Sequence, residues 1–319
     1  MKRFLLMVSL GLAVIVAPTQ AQQKFNPNQV AVLRWYPANQ TATFNLPSFV
    51  TAVAFDGVNV WVLVVSGGSG SVVQGLRASD GAPAGSFPVG NASTFLTGIA
   101  FDGANLWVVD HSNNNVYELR LRDRTVLGPF AVGNVPQGVA FDGTNIWVTN
   151  SQDDTVTELA ASDGHKIRTV RAGGAPLGVA FDGTNIWVTN SNTNNVTKLR
   201  ASDGKELGTF NVGKGPEGVA FDGTNIWVAN SNSSNVTKLR ASSGTVLGTF
   251  AVGNGPIGVA FDGTSIWVAN SGSNNVTKLR ASDGVVLGIF PVGNVPIAAA
   301  FDGANVWVAI FEGGNVSKL

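Results

Sequence analysis

The residues that could carry catalysis are few in this sequence, and they are scattered. The chain has no cysteine and two histidines, His111 and His165. Asp110 stands beside His111, and Glu217 lies more than a hundred positions further on. Acid–base catalysis needs paired titratable groups held together, and no nucleophile, phosphate-loop or metal-ligand spacing is visible. We therefore expect no cofactor and no metal ion.

A repeat of forty residues decides where these side chains lie. The stretch GVAFDGTNIWVTN occurs at 138–150 and again at 178–190. Phe-Asp-Gly occurs seven times, and a tryptophan follows each copy at the same offset, at Trp61, Trp107, Trp147, Trp187, Trp227, Trp267 and Trp307. Self-similarity at this period is typical of repeat architectures, so it governs the interpretation of every other motif.

Each unit has the pattern of four short strands. In 218–257, the Asp-Gly, Asn/Ser-rich and Ser-Ser-Gly segments supply turns, and β-branched and aromatic residues fill the runs between them. Seven such units predict an all-β fold, a seven-bladed β-propeller of four-stranded antiparallel blades.

The two ends of the repeat region predict how the ring closes. The last unit stops at Leu319, after its third strand, and 43–46 (TFNL) matches a fourth strand. We therefore expect an N-terminal strand to complete the last blade. An extra copy of the third strand at Val30–Arg34 either lies outside the ring or replaces the C-terminal copy, and we favour the first.

The repeated side chains have structural interpretations. The tryptophans should pack blade against blade, although a ring of ligand-stacking tryptophans is the alternative. The aspartates of Phe-Asp-Gly should serve the turns, with calcium binding as the alternative. The basic residues before the Ser-Asp-Gly turns, such as Arg200 and Lys198, should pair with turn aspartates; a rim that binds anions is the alternative.

Variation between units is greatest in the loops of one face, here called the top face, which holds the Asn/Ser-rich loops and the Gly-Pro connections. Sites on rigid scaffolds usually lie on variable loops. The residue two before the first-strand valine should ring the channel there. The predicted binding residues are Thr51, Thr97, Asp110, His111, Gln137, Asp153, Leu177, Glu217, Ile257 and Ile297.

The first 21 residues have the pattern of a secretory signal peptide. Lys2 and Arg3 precede an apolar run, and small residues precede position 22. We expect residues 22–319 to form one exported domain, in the periplasm or outside the cell, with no membrane span. Without the signal, 18 Lys and Arg remain against 20 acids, and this charge makes nucleic acid an unexpected partner.

The runs VTNSNTNNVTKL and VGKGPEGVAFDG resemble the YVTN-type propeller repeat of exported bacterial proteins similar to YncE. This resemblance implies a seven-bladed fold over about residues 29–319 and implies no residue-level site. DNA binding suggested for the YncE type is not supported by the charge of this chain. A more distant similarity is to virginiamycin B lyases, whose chemistry uses histidine and acid side chains with magnesium; His111 and His165 fall in different kinds of loop here.

Three functions stay open from the sequence. The first is a monomeric, non-catalytic binding module that holds a protein, peptide or carbohydrate on its top face. The second is a lyase or hydrolase with a site around Asp110, His111 and Glu217. The third is a structural surface protein whose repeats build a rigid disc.

Overall fold

A computed structural model describes residues 41–66 and 70–319. Within them, 28 strands form seven separate four-stranded antiparallel sheets, and the one helical segment is a 3₁₀ turn at Ser231–Ser233. No helix among these residues has the length and apolarity to cross a membrane. The predicted all-β propeller of seven four-stranded blades is confirmed.

In blades 1–6 the strands run outward from the channel in chain order. Blade 1 has β2 (Phe49–Phe55), β3 (Asn59–Ser66), β4 (Gly70–Arg77) and β5 (Pro83–Val89), and blade 2 has β6 (Leu96–Phe101), β7 (Asn105–Asp110), β8 (Asn115–Arg120) and β9 (Val126–Ala131). Blade 3 has β10 (Pro136–Phe141), β11 (Asn145–Asn150), β12 (Thr155–Ala160) and β13 (Lys166–Arg171), and blade 4 has β14 (Pro176–Phe181), β15 (Asn185–Asn190), β16 (Asn195–Arg200) and β17 (Glu206–Asn211).

The remaining three blades repeat this arrangement. Blade 5 has β18 (Pro216–Phe221), β19 (Asn225–Asn230), β20 (Asn235–Arg240) and β21 (Val246–Ala251), and blade 6 has β22 (Pro256–Phe261), β23 (Ser265–Asn270), β24 (Asn275–Arg280) and β25 (Val286–Pro291). Blade 7 has β26 (Pro296–Phe301), β27 (Val306–Ile310), β28 (Asn315–Lys318) and, as its outer strand, β1 (Ala42–Asn45).

The ring closes through β1, as predicted. β1 pairs antiparallel with β28, with Phe44 opposite Val316. The Phe44 ring stacks on Trp307 with centroids 5.2 Å apart, as Phe210 of blade 4 packs on Trp187 at 5.6 Å. The C-terminal copy of the third strand therefore occupies blade 7, while the extra copy at 30–34 and the predicted signal peptide fall outside the described residues.

The tryptophans lie between blades, as predicted. Trp107 of blade 2, for example, is fully buried in a cluster with Ile146 and Val148 of blade 3. Its indole N–H donates to the Asp102 carboxylate at 2.8 Å, and the same bond recurs in all seven blades at 2.6–2.8 Å. A buried Trp needs this polar partner, so the aspartate serves both the indole and its turn.

The basic side chains of the opposite, bottom face behave in two ways. Arg77, Arg200 and Arg280 pair with the aspartate three residues later, as predicted. The lysine prediction is wrong for two members: Lys198 and Lys238 donate at 2.7 Å to backbone carbonyls of the next blade, Ala241 and Ala281. A lysine stem is long enough to reach across the blade interface, and its ammonium there lies over its own blade's tryptophan.

Candidate functional site

Seven side chains, one from each blade, line the mouth of the central channel. They are the predicted ring residues Thr51, Thr97, Gln137, Leu177, Glu217, Ile257 and Ile297, and they border one cavity of about 320 Å³. This volume is at the small end of the range for ligand pockets. The cavity can take a small molecule, one sugar unit or a side chain that protrudes from a larger partner.

A bulge in every inner strand aims these side chains. In blade 3 the register with β11 shifts between Pro136 and Val139, and Gln137 lies inside the shift; the other six inner strands have the same shift at the ring residue. Bulges re-aim side chains and are common beside functional sites. Gly138 is needed there because a Cβ would come within 2.4 Å of the Leu177 carbonyl oxygen on the next blade.

The ring divides into a polar arc and an apolar arc. Thr51, Thr97 and Gln137 of blades 1–3 form the polar arc, and Leu177 and Ile257 flank Glu217 on blades 4–6. The Thr51 hydroxyl is buried without a hydrogen-bond partner in the described part of the chain. Such unpaired groups cost stability, and because this oxygen is buried it is not available to a ligand in the cavity.

Glu217 is the one charged residue among those that line this cavity. Burial raises the pKa of its carboxyl above the ordinary value, and a hydrogen bond from the Ser231 side chain opposes that rise. The Ser231 hydroxyl also lies 3.1 Å from the Gly215 carbonyl, and it has one proton to donate to either acceptor. The Glu217 carboxyl therefore shares its one described side-chain donor with a backbone carbonyl.

His111 joins the ring through Gln137. The amide Nε2 of Gln137 lies 3.1 Å from the Nδ1 of His111, and with the amide as donor the imidazole proton is on Nε2. The His111 ring also meets Phe95 edge-on, at 6.0 Å between centroids. Two predicted site residues of neighbouring blades thus form one polar unit at the rim.

The other two predicted acids hold loops instead of facing the cavity. Asp110 is fully buried and accepts hydrogen bonds from Thr94 and from the Asn113 amide at 3.1 and 2.8 Å. Asp153 is bound to Asn134, whose backbone N–H donates at 2.7 Å, and this bond is the first cause of the lowered pKa of Asp153. Neither residue is among those that line the cavity.

Large side chains gather on one side of the top face, over blades 7, 1 and 2. Phe49 is about half exposed and stacks on Phe311 at 5.0 Å between centroids, and Phe95 is also exposed. The position of His111 and Phe311, directly after the second strand, is serine in blades 3–6. Sequence reasoning missed this grouping, although the alignment of that one repeat position was a sufficient signal.

His111 and Glu217 do not contact each other in the described structure. His111 contacts Gln137 and Phe95, and Glu217 contacts Ser231; the recorded bonds of the two groups have no residue in common. Across residues 41–66 and 70–319, no three His, Asp or Glu side chains are grouped as a metal site would require. The cavity offers shape, one negative charge and several hydrogen-bonding groups.

No protein-family model matches this chain, and no curated protein matches its sequence. Among solved structures, it is similar to a streptogramin B lyase, with a TM-score of 0.75 and 16% identity over 88% of this chain and 96% of that one. It is also similar to the hydrazine synthase of Kuenenia stuttgartiensis, with a TM-score of 0.73 and 17% identity over 88% of this chain and 97% of that one. At such identities the likeness concerns the fold, and that fold is the seven-bladed β-propeller.

Proposed function

We propose that this protein is an exported, non-catalytic binding propeller that holds a protein, peptide or carbohydrate partner at the mouth of its channel. One observation carries the proposal: seven bulged strands bring seven side chains of five types to a single cavity. A disc that served only as a scaffold would have no need to vary this ring while the bottom-face turns stay nearly identical.

The two faces differ in how their polar groups are used. On the bottom face, each Phe-Asp-Gly aspartate already accepts bonds from an indole and from turn amides, as Asp222 does from Trp227 and Asn225. At the channel mouth, the Glu217 carboxyl has one described side-chain donor, the Ser231 hydroxyl, and that hydroxyl also lies near the Gly215 carbonyl. Groups with unused bonding capacity can bind a partner without losing an existing contact.

The cavity volume limits how a partner can bind. About 320 Å³ holds a protruding side chain or one sugar ring, so a macromolecular partner would insert one group and lie across the rim. The exposed Phe49 and Phe95 would then support the rest of that partner. The pattern of the first 21 residues and the resemblance to exported YVTN-type propellers support a place in the periplasm or outside the cell.

Methyl NMR can test the binding site, because Leu177, Ile257 and Ile297 place reporters in the ring. We would titrate short peptides and mono- and disaccharides and expect one class to shift these three signals. Ile297→Trp should fill the mouth and abolish that binding, while Ile289→Trp, on an exposed outer strand, should leave it intact. Shifts confined to outer strands, or binding that survives Ile297→Trp, would contradict the proposal.

A further inference from the structure

We infer that the group entering the channel mouth is an aliphatic ammonium on an apolar stem. The inference rests on the proposed function and names the chemistry that this cavity selects. A lysine side chain of a protein or peptide partner and a small alkylamine share that chemistry.

The first support is an isolated negative charge in an apolar setting. Glu217 is the one charged residue of the cavity lining, between Leu177 and Ile257 on the adjacent inner strands. It forms no salt bridge with any residue that the structure describes. A partly desolvated carboxylate gains from an opposite charge that comes close to it, so a cation is favoured in this cavity and an anion is repelled.

The second support is the apolar wall beside that charge. Leu177, Ile257 and Ile297 cover the lining on blades 4, 6 and 7. The methylenes of an alkylammonium or a lysine stem can pack on such a wall while the charged head reaches the carboxylate. A strongly hydrated metal ion would lose its water on this wall, and one carboxylate supplies too few oxygen ligands to replace that water.

The third support is the pattern of hydrogen-bond acceptors. The Thr149 and Thr189 hydroxyls donate to the ring carbonyls of the following blade, Leu177 at 2.7 Å and Glu217 at 2.6 Å. The same position in blades 5 and 6 is Ala229 and Ala269, and a methyl group cannot donate.

The Thr149 and Thr189 hydroxyls also accept from the Gly138 and Gly178 N–H groups at 2.8 Å, so the two alanines remove this partner from one acceptor and one donor in each blade. The acceptor in excess at this wall is therefore the Glu217 carboxylate. An ammonium group has three N–H donors and no acceptor, so it matches that carboxylate.

The test compares three probes with the same six-carbon chain: hexylammonium, 1-hexanol and hexanoate. We expect hexylammonium to shift the Leu177, Ile257 and Ile297 methyl signals and to bind at least about tenfold more tightly than hexanol, because bonds to charged groups are the stronger ones. Hexanoate should bind more weakly than hexanol. Glu217→Gln should remove the preference for hexylammonium, while Glu312→Gln, the same change on an exposed top-face residue outside the cavity, should keep it.

Acetyl-Ala-Lys-Ala-amide separates the two sources of the ammonium. Tighter binding of this peptide than of hexylammonium assigns the site to a partner's lysine, and the reverse order assigns it to a small amine; both orders support the inference. Equal affinities for hexylammonium and hexanol, or a preference that survives in folded Glu217→Gln, would overturn it.

If the ammonium preference is refuted in this way, the proposed binding function is still supported when the channel methyl signals shift with hexanol or with a saccharide. If no probe shifts those methyl signals, both the binding function and the ammonium preference are refuted.

Discussion

Replacing Phe44 with alanine probes the closure of the ring, since this side chain joins the two ends of the propeller. Phe44 lies on β1, stacks on Trp307 of blade 7, and fills the space that a Cβ at Gly81 of blade 1 would need. Truncating a buried Phe costs about 3–5 kcal/mol, and Phe44 is only half-buried. We therefore expect a loss of about 2–4 kcal/mol in the free energy of unfolding. At about 2–4 °C per kcal/mol for a domain of this size, the melting temperature should fall by roughly 4–16 °C.

The matched control is Phe210→Ala. Phe210 has the same role in blade 4, on Trp187 and over Gly244 of blade 5, but its strand is continuous with the rest of that blade. Guanidinium unfolding followed by tryptophan fluorescence measures both variants. Similar losses would show that β1 is docked as firmly as an internal strand. A cost below about 0.5 kcal/mol for Phe44→Ala, beside a full cost for Phe210→Ala, would refute the closure scheme.

Three further predictions follow from the contacts described above. Deleting residues 22–47 should expose the edge of β28 and cause association visible by light scattering. Deleting 22–40, which keeps β1, should leave the association state unchanged, and equal behaviour of the two variants would contradict the closure. Lys238→Met should cost about 1–3 kcal/mol, because its Nζ serves two carbonyls of the next blade at 2.7 and 3.1 Å. Lys278→Met should cost less than about 1 kcal/mol, since Nζ of Lys278 is 3.5 Å from the Asp262 carboxylate; equal costs in chemical unfolding would refute the distinction. Glu217→Gln should raise the melting temperature at pH 7, because a raised pKa means that the folded state favours the protonated acid and pays for its ionisation. That gain should shrink as the pH falls through the folded pKa of Glu217, and a pH-independent gain would point to packing as the cause.

The fold could be predicted from the sequence because every blade repeats the same turn and core residues. The Asp-Gly turns, the tryptophan at a fixed offset and the truncated last unit led directly to seven blades and to closure by 43–46. The sequence was also sufficient for the membership of the ring, since all seven predicted channel residues line one cavity. The forty-residue period identifies the strand of each unit that faces the channel axis. A fixed distance from the first-strand valine then identifies the ring residue of every blade.

What the sequence could not supply depends on side-chain reach across blade interfaces. Lys198 was expected to meet an aspartate of a turn, and it spans instead to a carbonyl of blade 5. Asp110 was predicted to bind a ligand because it adjoins a varied loop. Its carboxylate instead accepts a hydrogen bond from Thr94, on the connection from blade 1. The link between His111 and Gln137 joins blades 2 and 3, and no spacing within a single unit predicts a contact between units.

Two departures from repeat symmetry differ in their cause. Beside the closure, Lys278 lies near Asp262, whereas Lys318 keeps the lysine pattern of blades 4 and 5 and donates to the Ala78 carbonyl of blade 1. The third and fourth strands of blade 7 come from opposite ends of the chain, so blade 7 has no internal third-to-fourth-strand turn to offer carbonyls to Lys278. Closure alone accounts for that difference.

The second departure, at the channel mouth, has no such cause. Glu217 occupies the ring position that Leu177 and Ile257 occupy in the neighbouring blades. Burial raises the pKa of its carboxyl. The carboxyl forms no salt bridge with any residue that the structure describes. A leucine or isoleucine there would remove that desolvation cost, and the adjacent blades show that the bulge accepts both side chains. The scaffold could accept an apolar residue at this position, so Glu217 costs stability with no structural benefit among its described contacts, and the binding function that we propose should be tested at Glu217 first.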